Sequence, residues 1–237
     1  MGSIYLLTLR QLSGRWRLLI MLVLASMPVV FTLLIMRELT APSVEEFELY
    51  VLSGMLAGSI VPLVVLAIST VAFGNEVEDR TLANLTLSPM PRWQIVASKF
   101  LATVSVSAPF IAISAFVTSI VAFNGDATAT VAVTVSTLVG LALYSSVFVW
   151  LGLANTQAIG IGLLYIVLWE GFFSQYVVGV RVLSIRHYSI ALMHGLDERR
   201  FAEAENLGFG VVMGVSAAVF VGFLLLTIRR LRRMDVP

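Results

Sequence analysis

The chain has 237 residues, 59% of them hydrophobic and only 12% charged, against about half apolar and a quarter charged in a soluble domain. That balance excludes an ordinary soluble fold and points to an integral membrane protein. A net charge of +1 without a basic, aromatic-laced block argues against nucleic acid as a partner, and the absence of cysteine excludes disulfides, thiol catalysis and Cys-based metal sites.

The first element lies in "MGSIYLLTLRQLSGRWRLL", where Tyr5, Leu9, Leu12 and Trp16 recur at spacings of four, three and four, with Thr8, Gln11 and Arg15 on a more polar side. This predicts an interfacial amphipathic helix over residues 1–17, a basic tail that only sets topology being the alternative. Six apolar runs follow, near 18–36, 49–73, 100–123, 131–154, 158–180 and 207–228. Each is long enough to cross a hydrocarbon core about 30 Å thick at about 1.5 Å per residue. Such runs are helices, because lipid offers the backbone no partner and no barrel-type alternation is present. The expected fold is therefore all-α, one six-span transmembrane domain covering residues 1–237.

Lys and Arg set the orientation. Arg10, Arg15, Arg17, Arg80, Arg92, Lys99, Arg229, Arg230, Arg232 and Arg233 fall on the side that holds both termini; Arg37, Arg181, Arg186, Arg199 and Arg200 fall on the other. The richer side is cytoplasmic. Within the spans, Pro28, Pro62 and Pro109 permit kinks, while Gly54/Gly58, Ala158/Gly162 and Gly210/Gly214 are small-residue pairs suited to close helix approach.

Between the second and third runs, residues 74–99 read "GNEVEDRTLANLTLSPMPRWQIVASK". Glu76, Glu78 and Asp79 crowd the expected first turn of a short helix, with Leu82 and Leu85 three apart on one face. Pro89 stops that helix, and Pro91 suits the first turn of a new one running through Trp93 and Lys99. A plain turn needs about two to eight residues. So long a charged, proline-broken cytoplasmic segment reads as a docking surface, a solvated loop being the alternative.

The fifth run carries Glu170 near its middle, where a carboxylate costs on the order of 3 kcal/mol and needs a cavity or a partner. Gln175 follows five residues later. Two readings stay open: an acid lining a pathway, able to hold a proton, or a carboxyl satisfied within a helix contact. In the segment 181–206 the first half, from Val182 to Met193, is too apolar for a solvated loop and too short to span, so it is expected to lie in or dip into the membrane interface. After Gly195, Asp197 stands at a cap position, and Arg199 and Glu203 are four apart. His187 and His194 lack a third ligand, so no metal site is expected.

The acidic cluster, "RTLANL", "SPMPRWQI" and a Lys entering the next span resemble the loop between the second and third spans of the type 2 family of ABC transporter permeases. Glu76 or Glu78, Thr81, Leu82, Leu85, Pro89, Arg92 and Lys99 hold the family's places, and Arg80 stands where Gly is frequent. The resemblance implies a transport subunit of a prokaryotic inner (plasma) membrane, probing its partner through a coupling helix around Glu76, Glu78, Arg80, Thr81, Leu82, Leu85, Pro89 and Arg92. It further implies a separate P-loop ATPase carrying ATP and Mg, a second permease copy in a homodimer or heterodimer, and export along a path lined by the second and fifth spans. The N-terminal helix resembles the family's elbow helix, and the segment 181–206 its re-entrant outer closure. Consistent with an ATPase on another chain, no G-x-x-x-x-G-K-[ST] occurs here, and the single lysine, Lys99, sits in "VASKF". The alternative is a proton-coupled secondary transporter or channel using Glu170; the short link after the fourth run and the lack of other intramembrane charges favour the permease.

Overall fold

A computed structural model describes residues 2–37, 43–78, 90–174, 183–201 and 209–233. The described residues are helical with no strand: α1 Gly2–Leu12, α2 Arg15–Ile35, α3 Val44–Glu78, α4 Arg92–Ala122, α5 Ala127–Ala154, α6 Ala158–Phe173, α7 Ile185–Leu196 and α8 Phe209–Arg233. Five of them, α2, α3, α4, α5 and α8, are long and apolar enough to cross a membrane. Within the described residues the fifth expected run yields α6, an apolar helix of about 24 Å at 1.5 Å per residue. Gln175 lies outside the described residues.

The helix ends follow from local chemistry. Ser43 and Glu46 form a reciprocal capping box at the start of α3, Ser43 Oγ accepting from the Glu46 amide at 3.2 Å and Glu46 Oε2 from the Ser43 amide at 3.0 Å. Asp126 caps α5 by accepting from the Thr128 amide at 2.9 Å. The α4–α5 turn places Asn124 and Gly125 at φ of 52° and 80°, left-handed values that Gly and Asn tolerate best. Pro91, with ψ of 136°, is the residue from which α4 starts.

Inside the apolar helices, hydroxyls fold back on their own backbone: Thr103 donates to the Lys99 carbonyl at 2.9 Å, Ser107 to Thr103 at 2.9 Å and Thr32 to Pro28 at 2.7 Å. These three hydroxyls are thereby satisfied without leaving the helix that carries them. In α3, Glu48–Ile60 is wound as a wide π-helix and reverts to α at Val61. Pro62 offers no amide and its ring crowds the carbonyl one turn back, and Gly54 and Gly58 supply little resistance to rewinding. Ser59 Oγ donates to the Gly54 carbonyl at 3.0 Å and so occupies one acceptor there.

The α1 helix ends at Leu12, short of the expected residue 17, because Ser13 and Gly14 break it before α2. Leu12 is buried and Tyr5 donates to Ser105 Oγ of α4 at 3.0 Å, but Thr8, expected on the polar side, is buried too. Trp16 belongs to α2 and is 79% exposed. Packing of α1 along α4 therefore overrides the simple apolar stripe.

Helix α5 is the hub, touching α3, α4, α6, α7 and α8. Its glycines permit the closest approaches: a Cβ on Gly152 would lie 2.3 Å from the Thr70 carbonyl oxygen, and one on Gly140 2.3 Å from Ser189 Oγ. Likewise a Cβ on Gly162 of α6 would lie 2.1 Å from Leu66 Cδ1 of α3. Gly210 and Gly214 have open space around them, so their pair makes no close approach among the described residues. Gly152→Val is expected to lower stability by about 1–3 kcal/mol, since rigid backbone must move to admit it. The same change at Gly214 is expected to be nearly silent; thermal unfolding of the two purified variants compares them, and equal midpoints would refute the packing assignment.

Candidate functional site

Two buried polar clusters stand out, one at each margin of the bundle interior. The first joins the last turn of α3 to the start of α4, on either side of residues 79–89. Glu76 and Glu78 do not open a separate helix as the sequence suggested; they lie in the last turn of α3, which runs on unbroken through Glu78 because no Gly–Pro break precedes it. Arg80, Thr81, Leu82, Leu85 and Pro89 lie outside the described residues, and Arg92 is the first residue of α4.

A half-buried carboxylate needs a partner, and a cation from α4 answers Glu76. Lys99, 0% exposed, donates from Nζ to Glu76 Oε1 at 2.6 Å and to the Ala72 carbonyl, and stands 4.6 Å over the Phe73 ring. One ammonium thus binds a carboxylate, a carbonyl and an aromatic face, all on α3. Glu78 is exposed beyond it.

The second cluster lies where α6 gives way to α7. Glu170 is 0% exposed, and both carboxylate oxygens accept bonds from its own chain: Oε1 from Tyr165 at 3.0 Å and from the Ile185 amide at 3.1 Å, Oε2 from Ser184 Oγ. Ser184 is itself the N-cap of α7, accepting from the His187 amide at 3.4 Å. The acid is therefore seated at the positive end of a helix dipole, where unsatisfied amides would otherwise be stranded in an apolar interior. Burial of a carboxylate in an apolar helix and the start of a new helix inside the bundle answer one another.

Arg186, in the first turn of α7 and 5% exposed, crosses to α3. Its Nε and Nη2 donate to Ser53 Oγ at 2.9 and 2.8 Å, and Nη1 reaches the Glu170 carbonyl at 3.5 Å. Gly58 makes room, a Cβ there falling 3.2 Å from Arg186 Cδ. Further along, Ser189 packs on Gly140, about 20 Å along α5 from Ala127. The other end of α7 meets the start of α3 through His194 Nε2 and Glu48 Oε1, and His194 stacks on Phe201 at 5.8 Å. Arg200 then pairs with Asp126 at 2.8 Å.

Within the apolar half of residues 181–206 the structure places α7, whose buried residues include Tyr188, Ala191, Leu192 and Met193. Asp197 is the C-terminal cap of α7, its amide donating to the Met193 carbonyl at 3.1 Å, and it also opens one turn of helical type, its own carbonyl accepting from the Phe201 amide at 3.2 Å. Glu203 lies outside the described residues. Arg186 was counted as an external charge from its sequence position; its place two residues after a capping serine and inside an apolar run was the signal of burial.

A family model described as ABC-2 family transporter protein matches residues 14–186, from the start of α2 to the first turn of α7. The chain belongs to the ABC-2 transporter family. None of the curated proteins matches it. ABC-2 membership together with the five apolar helices makes this a multi-pass membrane protein of an ABC-type transporter. Both polar clusters are built from residues within the matched stretch, apart from the outer contacts of α7.

Proposed function

We propose that this ABC-2 protein is the permease subunit of an ATP-binding-cassette exporter, driven by an ATPase on a separate chain and working with a second permease copy. The observation that carries the reading is the family match across residues 14–186, which includes the whole charged segment between α3 and α4. In this reading both termini are cytoplasmic, α1 lies at the cytoplasmic interface, and residues 74–99 present the coupling surface, with Leu82 and Leu85 as its apolar anchor and Glu78, Arg80 and Arg92 as polar contacts. ATP and Mg bind the partner, and the membrane is the inner (plasma) membrane of a prokaryote. The α7 helix then closes the outer half against α3.

The rival reading, proton transport through Glu170, is disfavoured by that residue's surroundings: three donors from the same chain already occupy a carboxylate that is 0% exposed. The test is Leu82→Asp with Leu85→Asp. The double variant is expected to insert in the membrane normally yet to lose its co-purifying ATPase, whereas undiminished co-purification would remove the coupling surface from this segment.

A further inference from the structure

Lys99 is more deeply enclosed than any role in direct contact with a partner requires. It is the single lysine of the chain, is 0% exposed, and gives its ammonium entirely to α3: Glu76, the Ala72 carbonyl and the Phe73 face. Around it, Ile95 and Val96 of α4 pack with Phe73 of α3 in one apolar cluster that also holds Leu153 of α5 and Leu231 of α8. The two helices that emerge on either side of residues 79–89 are therefore riveted within two turns of where that segment begins and ends.

We propose that Lys99 is a positioning residue which, through Glu76 and the Ala72 carbonyl, makes the ends of α3 and α4 one rigid joint, so that force applied to the segment between them moves both helices together. The inference rests on the coupling role assigned to that segment above. A joint held only by apolar contact can slide, because such contact has no direction. A short charged bond to a carboxylate, combined with a carbonyl on the preceding turn, fixes both distance and angle. Glu76 accordingly acts inside the permease and leaves Glu78, exposed at the helix end, to face outward.

The joint stays closed through the transport cycle, and this can be read chemically. The intact complex with its ATPase is treated with an amine-acylating reagent, without nucleotide and with ATP under non-hydrolysing conditions, and the Lys99 peptide is followed by mass spectrometry. Lys99 is expected to remain unmodified in both states while lysines of the ATPase react; acylation at the rate of an exposed amine in either state overturns the rigid joint. A second measurement separates positioning from mere stability. Lys99→Met alone strands the Glu76 carboxylate and is expected to lower the unfolding temperature. The combined Glu76→Gln and Lys99→Met variant, which buries no unpaired charge, is expected to recover that temperature and still co-purify with the ATPase, yet to lose most of the permease's effect on the ATPase rate. Recovery of stability and coupling together would reduce Lys99 to a structural role and refute the proposal. Should the unaltered chain capture no ATPase at all, the functional reading fails by itself, and acylation of Lys99 in the permease alone still decides whether the joint is closed.

Discussion

Glu170→Leu is expected to be the most damaging single substitution in the chain, reducing the yield of folded protein sharply. Leucine fills similar space but accepts no hydrogen bond, so the Tyr165 hydroxyl, the Ser184 hydroxyl and the Ile185 amide all lose their acceptor in one step. Each buried group left unpaired costs about 1–3 kcal/mol, and the anion at the start of α7 is lost as well, at up to about 2 kcal/mol in a buried setting. Together these approach the whole stability of a typical domain, about 5–15 kcal/mol. Glu170→Gln should be far milder. Its amide oxygen still accepts from Tyr165 and Ile185, and the Ser184 hydroxyl can turn to accept from the new amide N–H. Thermal unfolding and yield of the two variants test this, and a Leu variant as stable as the parent would show that Glu170 does not hold α7. Normal transport by the Gln variant would also remove the acid from any proton-carrying mechanism.

The same residue shows what could be read from the sequence and what could not. A carboxylate in an apolar run announces that something must answer it, and that much follows from the cost of burial. What answers it is a helix start fourteen residues later, and no periodicity links Glu170 to Ser184. The large apolar helices were legible because length and hydropathy alone decide them. The fifth run is followed as helix through Phe173, and residues 175–180 lie outside the described residues. Lys99 is visible in the sequence as a residue entering a span, but its pairing with Glu76 depends on α3 and α4 meeting in space. Acidic residues favour helix starts, which in the sequence points Glu76 to a new helix; the ion pair with Lys99 offsets that preference and holds it in α3. Charge counting gives Arg186 a side but no partner, and its contact with Ser53 depends on α7 meeting α3 in space.

Removal of the Arg186 guanidinium is expected to free the deep end of α7 from α3. Arginine delivers two donors, Nε and Nη2, to the single Ser53 oxygen and a third toward the Glu170 carbonyl, a fork that the point charge of lysine cannot reproduce. Arg186→Met keeps the apolar stem against Gly58 yet loses these bonds, and hydrogen bonds to charged groups are worth about 1.5–3 kcal/mol each. Arg186→Lys should fall between the parent and Met. Ser53→Ala by itself removes only the acceptor, leaving the buried guanidinium short of a partner, so it too is expected to destabilise. If Ser53 and Arg186 act through one another, the double variant Ser53→Ala with Arg186→Met should cost less than the sum of the singles, by about 1–3 kcal/mol in a double-mutant cycle on thermal stability. Strict additivity would mean that the two side chains are neighbours without being coupled. Because α3 and α6 meet α7 at this point, the Arg186→Met variant should also raise hydrogen exchange in residues 185–196 while leaving α4 and α5 protected. Unchanged exchange in α7 would show that its hold on the bundle lies elsewhere, at the His194–Glu48 end.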